Sequence, residues 1–147
     1  MVTITGTRST AHKALPDYAR LFADYLGPFA DDGHFYIGGA VGIDSLTLLW
    51  LAGNTEAEIT VVVPATVQKQ PPEARQSIAR VRDRITNIVE LDAPKLGTDA
   101  YHARNRWMVD RTVLTIGFPR GDQATSGTWQ TLTYTAEQGK PRLIVPV

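Results

Sequence analysis

The chain has no cysteine, so disulfides and cysteine-ligated metals are excluded. Its only imidazoles are His12, His34 and His102, no two of them at a short helical spacing, and no metal site is expected. Net charge is also missing: 15 basic and 15 acidic side chains cancel over 147 residues. That argues against a protein that coats duplex DNA, because such binding rests on neutralising many phosphates. It leaves room for a local basic pocket. No apolar run approaches the roughly 20 residues of a membrane span, and residues 1–10 lack the apolar core of a secretory signal. A cytoplasmic protein without membrane association is expected. No internal repeat, linker or low-complexity segment interrupts residues 1–147, and at 43% hydrophobic residues a chain of this length suits one domain with a continuous core.

What is present is an alternation of short β-branched runs with longer helical stretches. Strands are expected at Val2–Thr5, His34–Ile37, Glu58–Val63, Asn87–Leu91, Thr112–Gly117 and Arg142–Val147. Helices are expected between them. In Leu15–Ala30 the residues Leu15, Tyr18, Leu21, Phe22, Tyr25, Leu26 and Phe29 recur at three and four positions, one face of a helix. Ile43–Ala52 is almost wholly apolar. Pro72–Arg84 opens on a proline, which a first helical turn tolerates. Thr98–Arg111 starts with Thr98 or Asp99 near its cap, and Ser126–Gln138 stops at Gly139. Strict alternation implies βαβ units. The fold class is therefore α/β, a Rossmann-like, doubly wound and mainly parallel sheet of about six strands between helix layers. In such sheets ligands bind at the strand C-terminal ends, where strand order switches.

Three turns combine glycine with hydroxyl or basic residues directly after a strand. They are Gly6-Thr7-Arg8-Ser9, Gly38-Gly39-Ala40-Val41-Gly42 and Thr125-Ser126-Gly127-Thr128. Glycine lets backbone N–H groups approach a ligand, and helix N-termini bind anions. The spacing is neither GxGxxG nor a Walker A motif, and no cofactor is expected. Arg104 and Arg106 lie on the helix before the fifth strand. Two apart, they do not share a helix face, so at most one aims at the ligand.

These segments together resemble the DNA processing protein A family, a branch of the SLOG superfamily of Rossmann-like nucleotide-binding domains. The family's G-[ST]-R turn is matched by Gly6-Thr7-Arg8, and its G-x-A-x-G-I-D segment by Gly38 to Asp44. Its R-N-R signature is matched by Arg104-Asn105-Arg106, its S-G-[ST]-x-x-T segment by Ser126 to Thr131, and its E-Q-G-[RK]-P by Glu137 to Pro141. A looser match to the pattern after the third strand spans Pro71 to Ile78. The resemblance implies a basic pocket for phosphates at Gly6, Thr7, Arg8, Ser9, Gly38, Gly39, Gly42, Asp44, Arg104, Arg106, Ser126, Gly127 and Thr128. In that family the pocket takes single-stranded DNA, which is handed to the RecA recombinase. Val41 stands where the family carries a basic residue, and the domains that flank the fold in many members have no room in this chain; both departures weigh against DNA loading.

The expected partner is a nucleotide or single-stranded DNA, bound without catalysis. A sister branch, the Lonely Guy phosphoribohydrolases, cleaves nucleoside 5′-monophosphates with an arginine and a glutamate; Thr131 stands in place of the glutamate, leaving Asp44 and Asp110 as the candidate acids and Arg104 as the arginine. A sensor or sponge of a signalling nucleotide is a third reading of the same pocket. Trp107 or Trp129 is a candidate for stacking on a base, and Lys69 and Arg75 flank a loop placed to close over a ligand. Trp50, in the apolar run Leu46 to Leu51, is expected in the core or at a subunit interface, and because that run has more apolar surface than one sheet face needs, a homodimer is expected.

Overall fold

The computed structural model describes residues 1–147. Six strands, β1 (Val2–Gly6), β2 (His34–Ile37), β3 (Glu58–Val63), β4 (Asn87–Glu90), β5 (Leu114–Phe118) and β6 (Arg142–Ile144), form one sheet in the order β4-β3-β2-β1-β5-β6. Every pairing is parallel, which sharpens the expected mainly parallel sheet. Five helices connect the strands: α1 (Leu15–Tyr25), α2 (Ile43–Asn54), α3 (Pro72–Arg80), α4 (Thr98–Arg111) and α5 (Gly127–Glu137). The chain steps outward from β1 to β4, then crosses back to set β5 on the other side of β1. Right-handed crossovers put α1, α2 and α3 on one face and α4 and α5 on the other. Strand order thus reverses between β1 and β5, and a crevice opens beyond their C-terminal ends. No helix is long and apolar enough to cross a membrane.

The two faces differ in chemistry because the strands alternate. Val2 and Ile4 of β1 point one way, Thr3 and Thr5 the other. The apolar core gathers Ile4, Phe35, Ile37, Ile59, Val61, Val63, Ile116 and Phe118 under Tyr18, Phe22, Leu48, Leu51 and Ile78; no residue of α4 or α5 belongs to it. The opposite face is lined by threonine. Thr3 and Thr112 share a hydroxyl hydrogen bond of 2.7 Å, and Thr135 of α5 donates to Thr115 at 2.9 Å. There α5 approaches the sheet where Gly117 has no side chain, since a Cβ would lie 2.7 Å from Leu132 Cδ2.

Several boundaries shift from the sequence expectation. The first helix ends at Tyr25 and is followed by a separate 3₁₀ turn, Gly27–Phe29, because Pro28 has no N–H to continue an α-helical ladder. The third divides at Val81 into α3 and a 3₁₀ turn, Arg82–Arg84. Helix α2 runs on to Asn54. Thr112, expected in a strand, is instead the C-cap of α4, so β5 starts at Leu114 and reaches Phe118. Neither Thr98 nor Asp99 caps α4; Gly97 holds the N-cap position, with no side-chain hydrogen bond.

Candidate functional site

The C-terminal ends of β1 and β5 bound a cleft of about 450 Å³. Its floor is Ile4, Thr5 and Gly6. One wall is the β1–α1 turn with Thr7 and Arg8, another is α4, and the third is the N-terminus of α5 with Ser126, Gly127 and Thr128. Eight of the residues singled out from sequence meet here: Gly6, Thr7, Arg8, Asp44, Arg104, Ser126, Gly127 and Thr128.

The end of α5 supplies donors. Ser126 is its N-cap, and its hydroxyl accepts from Trp129 N–H at 3.2 Å. The N–H groups of Gly127 and Thr128, at the start of the helix, have no intrahelical partner and carry the positive end of the helix dipole. The start of α2 is different. Ile43 N–H donates to the Thr7 carbonyl at 3.0 Å, and Thr7 N–H donates to the Phe118 carbonyl at 3.1 Å. These bonds tie the ends of β1 and β5 and the β2–α2 turn into one platform.

Arg104 sits in the wall with 4% of its surface exposed. Its Nη1 donates to the carbonyls of Gly38 and, at 3.2 Å, Val62, and its Nε donates to Asn105 Oδ1 at 2.8 Å. Nη2 has no hydrogen-bond partner in the protein, and Arg104 is one of the residues that line the cleft. Burial pulls Arg104 below the ordinary arginine value, and Asp44 opposes that shift. Asp44 is 8% exposed. Its Oδ2 accepts from Ala40 N–H at 3.2 Å, Oδ1 has no hydrogen-bond partner in the protein, and the residue lines the cleft. Burial raises the Asp44 carboxyl, while Arg104, the Ala40 N–H and Arg8 pull it down. An acid that holds its proton more tightly than usual thus lies beside a fixed cation.

The glycines of Gly38–Gly42 serve the protein's own packing. A Cβ on Gly38 would lie 2.7 Å from both the Arg104 guanidinium and Asp44 Oδ2. Gly39 turns at φ +68° against Val63, and its carbonyl accepts from Gln70 Nε2 at 2.8 Å. Gly42 turns at φ +80°, where a Cβ would lie 2.5 Å from Arg8 Cα and the Thr7 carbonyl. Of this turn only Ala40 lines the cleft. Ser9 also lies outside it and accepts from Arg120 Nη1 at 2.7 Å. Arg106 faces away into the groove between α4 and α5, its guanidinium 5.8 Å from the Tyr134 ring.

Sequence reasoning missed Arg120, Tyr101 and His102, all of which line the cleft. Arg120 follows β5 and brings in a third guanidinium, although Val41 offers no charge. Its only sequence signal is its position directly after the strand at the switch point. Tyr101 is the aromatic ring of the cleft, with Arg8 4.8 Å from its centroid. Trp107 and Trp129 do not line it. Trp107 lies under Arg111 at 3.7 Å, and Trp129 Nε1 donates to the Gly121 carbonyl at 2.9 Å. Lys69 is exposed, and Arg75 Nη1 donates to the Gln68 carbonyl at 3.3 Å; neither lines the cleft. Thr131 is buried and donates to the Gly127 carbonyl at 2.8 Å. Asp110 is outside the cleft and accepts from the Tyr134 hydroxyl at 2.6 Å.

No family model and no curated protein sequence matches this chain. Solved structures that share its fold include two DNA processing proteins. DNA processing protein A from Streptococcus pneumoniae superposes with a TM-score of 0.73 at 18% identity, over 99% of this chain and 50% of that one. DNA processing protein A from Helicobacter pylori, whose structure describes a single-stranded DNA binding mode, superposes with a TM-score of 0.73 at 19% identity, over 99% of this chain and 65% of that one. The fold is therefore shared with part of these proteins, and the chain spans half to just under two thirds of their length.

Proposed function

We propose that the cleft binds the phosphates of a nucleotide or of a single-stranded nucleic acid, and holds its ligand without cutting it. One observation supports this reading: three arginines, Arg8, Arg104 and Arg120, line one cleft at the β1–β5 switch point together with the first residues of α5, Gly127 and Thr128. A phosphate there gains charge-assisted hydrogen bonds from donors already in position. The fold shared with a protein whose structure describes single-stranded DNA binding supports the nucleic-acid form. Thr131, buried and bonded to Gly127, offers no acid where the phosphoribohydrolases carry one.

Titration of the protein with nucleoside 5′-monophosphates and short labelled single strands tests the reading. Binding is expected, and Arg8→Ala, a change at an exposed residue, is expected to weaken it about tenfold, the effect of losing one hydrogen bond to a charged group. No binding of either ligand overturns it. Asp44 favours one competing reading, a nucleoside 5′-monophosphate glycosidase, because a carboxyl raised by burial suits a general acid. Release of free base, abolished by Asp44→Asn, would decide for that enzyme.

A further inference from the structure

A second cavity, of about 650 Å³, lies in the groove between α4 and α5. It shares His102 and Asn105 with the cleft, so the two spaces have a common wall. Beyond that wall the groove presents Arg106 and Tyr134, with Gln130 and Glu137 along its α5 side. Helix geometry gives its reach. His102 and Arg106 are one turn apart, about 6 Å. From Gly127, in the cleft, to Tyr134 is seven residues of α5, about 10 Å along the axis.

The chemistry of the groove differs from that of the cleft. Arg106 is opposed by Glu137 within the groove and by Asp110, bonded to the Tyr134 hydroxyl, beside it. That balance does not attract a phosphate. It suits a nucleobase, which is uncharged, has hydrogen-bonding edges and presents a π face. The Tyr134 ring and the Arg106 guanidinium 5.8 Å from its centroid offer the flat surfaces on which bases stack. The cleft's own volume is already of the size that one small ligand fills.

We infer that the α4–α5 groove is a second nucleotide subsite, which takes the base of a neighbouring nucleotide when the first phosphate lies in the cleft. The preferred ligand is therefore a strand of two or more nucleotides and not a single nucleotide. This rests on the phosphate-binding reading of the cleft, and one experiment separates the two. Affinities for thymidine 5′-monophosphate and for a thymidylate tetranucleotide are measured with the native chain and with Arg106→Ala, Tyr134→Ala and Tyr134→Phe. The tetranucleotide is expected to bind at least about fivefold more tightly, the lower end of what one stacked base contributes. Arg106→Ala and Tyr134→Ala are each expected to shrink that ratio, while Tyr134→Phe, which keeps the ring and loses only the bond to Asp110, preserves it. Equal affinity for the two lengths, or a ratio untouched by both alanine variants, overturns the subsite and leaves the cleft standing. Failure of both lengths to bind overturns the cleft reading and the subsite with it. Arg106 is exposed, so Arg106→Ala decides the matter even where Tyr134→Ala disturbs the packing of α5.

Discussion

Asp44 and Arg104 are the two residues on which the cleft turns, and their burial has a measurable sign. Because the folded Asp44 carboxyl is raised above its unfolded value, the native chain holds a proton there that the unfolded chain has lost, over the window from the ordinary carboxylate range up to the folded value. Stability contributed by this group is therefore highest at low pH and falls as pH rises through that window. Asp44→Asn removes the dependence. The melting temperature of the native chain minus that of Asp44→Asn is expected to decline as pH rises from about 4 towards neutrality. A difference that stays flat, or rises, contradicts the assignment. Arg104 differs in kind: its Nη1 is held by the carbonyls of Gly38 and Val62, at the ends of β2 and β3. Its charge is therefore positioned by the sheet before a ligand arrives.

Among the elements, the turns carry the cleft more than the helices do. Gly42 has its φ in the left-handed region and lies against the backbone of Thr7 and Arg8. Gly42→Ala is expected to cost more than the roughly 1–3 kcal/mol of a sparsely populated positive-φ conformation alone, because backbone atoms block the new methyl, and to weaken ligand binding by displacing Arg8. Ser126→Ala removes only the cap of α5 and is expected to cost about 1 kcal/mol, read as a small drop in melting temperature. A Gly42→Ala variant no less stable than Ser126→Ala refutes this account of the turn. The same turns mark how far the site was legible in the sequence. All three follow parallel strands and so fall at one sheet edge, which the alternation of elements already implied. Glycine, however, signals only that space is needed. It does not separate space for a ligand from space for the protein's own atoms, and Gly6, Gly38, Gly39 and Gly42 are all of the second kind. Arg120 was illegible for a different reason: it stands in an irregular loop, where no periodicity assigns it a direction. The helix boundary at Tyr25 was missed because the apolar spacing runs on through the 3₁₀ turn to Phe29.

For the molecule as a whole, the zero net charge and the three arginines of the cleft are compatible because the balance is global and not local: of the 15 basic side chains three line the cleft, where Asp44 is the one acidic residue. The more consequential property is the contrast between the two faces of the sheet. The face under α1, α2 and α3 is held by a continuous apolar cluster, while α4 and α5 rest on threonine hydroxyls and a few apolar side chains such as Met108 and Leu132. Hydrophobic burial is the larger source of cohesion, so the two layers open with different free energies. Amide hydrogens of α4 and α5 are expected to exchange with deuterated water sooner than those of α1 and α2, and bound ligand to slow them selectively. Uniform exchange across all five helices would refute this. Arg104, Asn105 and the donors at the start of α5 all belong to the looser layer, so whatever fills the cleft also acts as the clasp that closes the domain's less cohesive half.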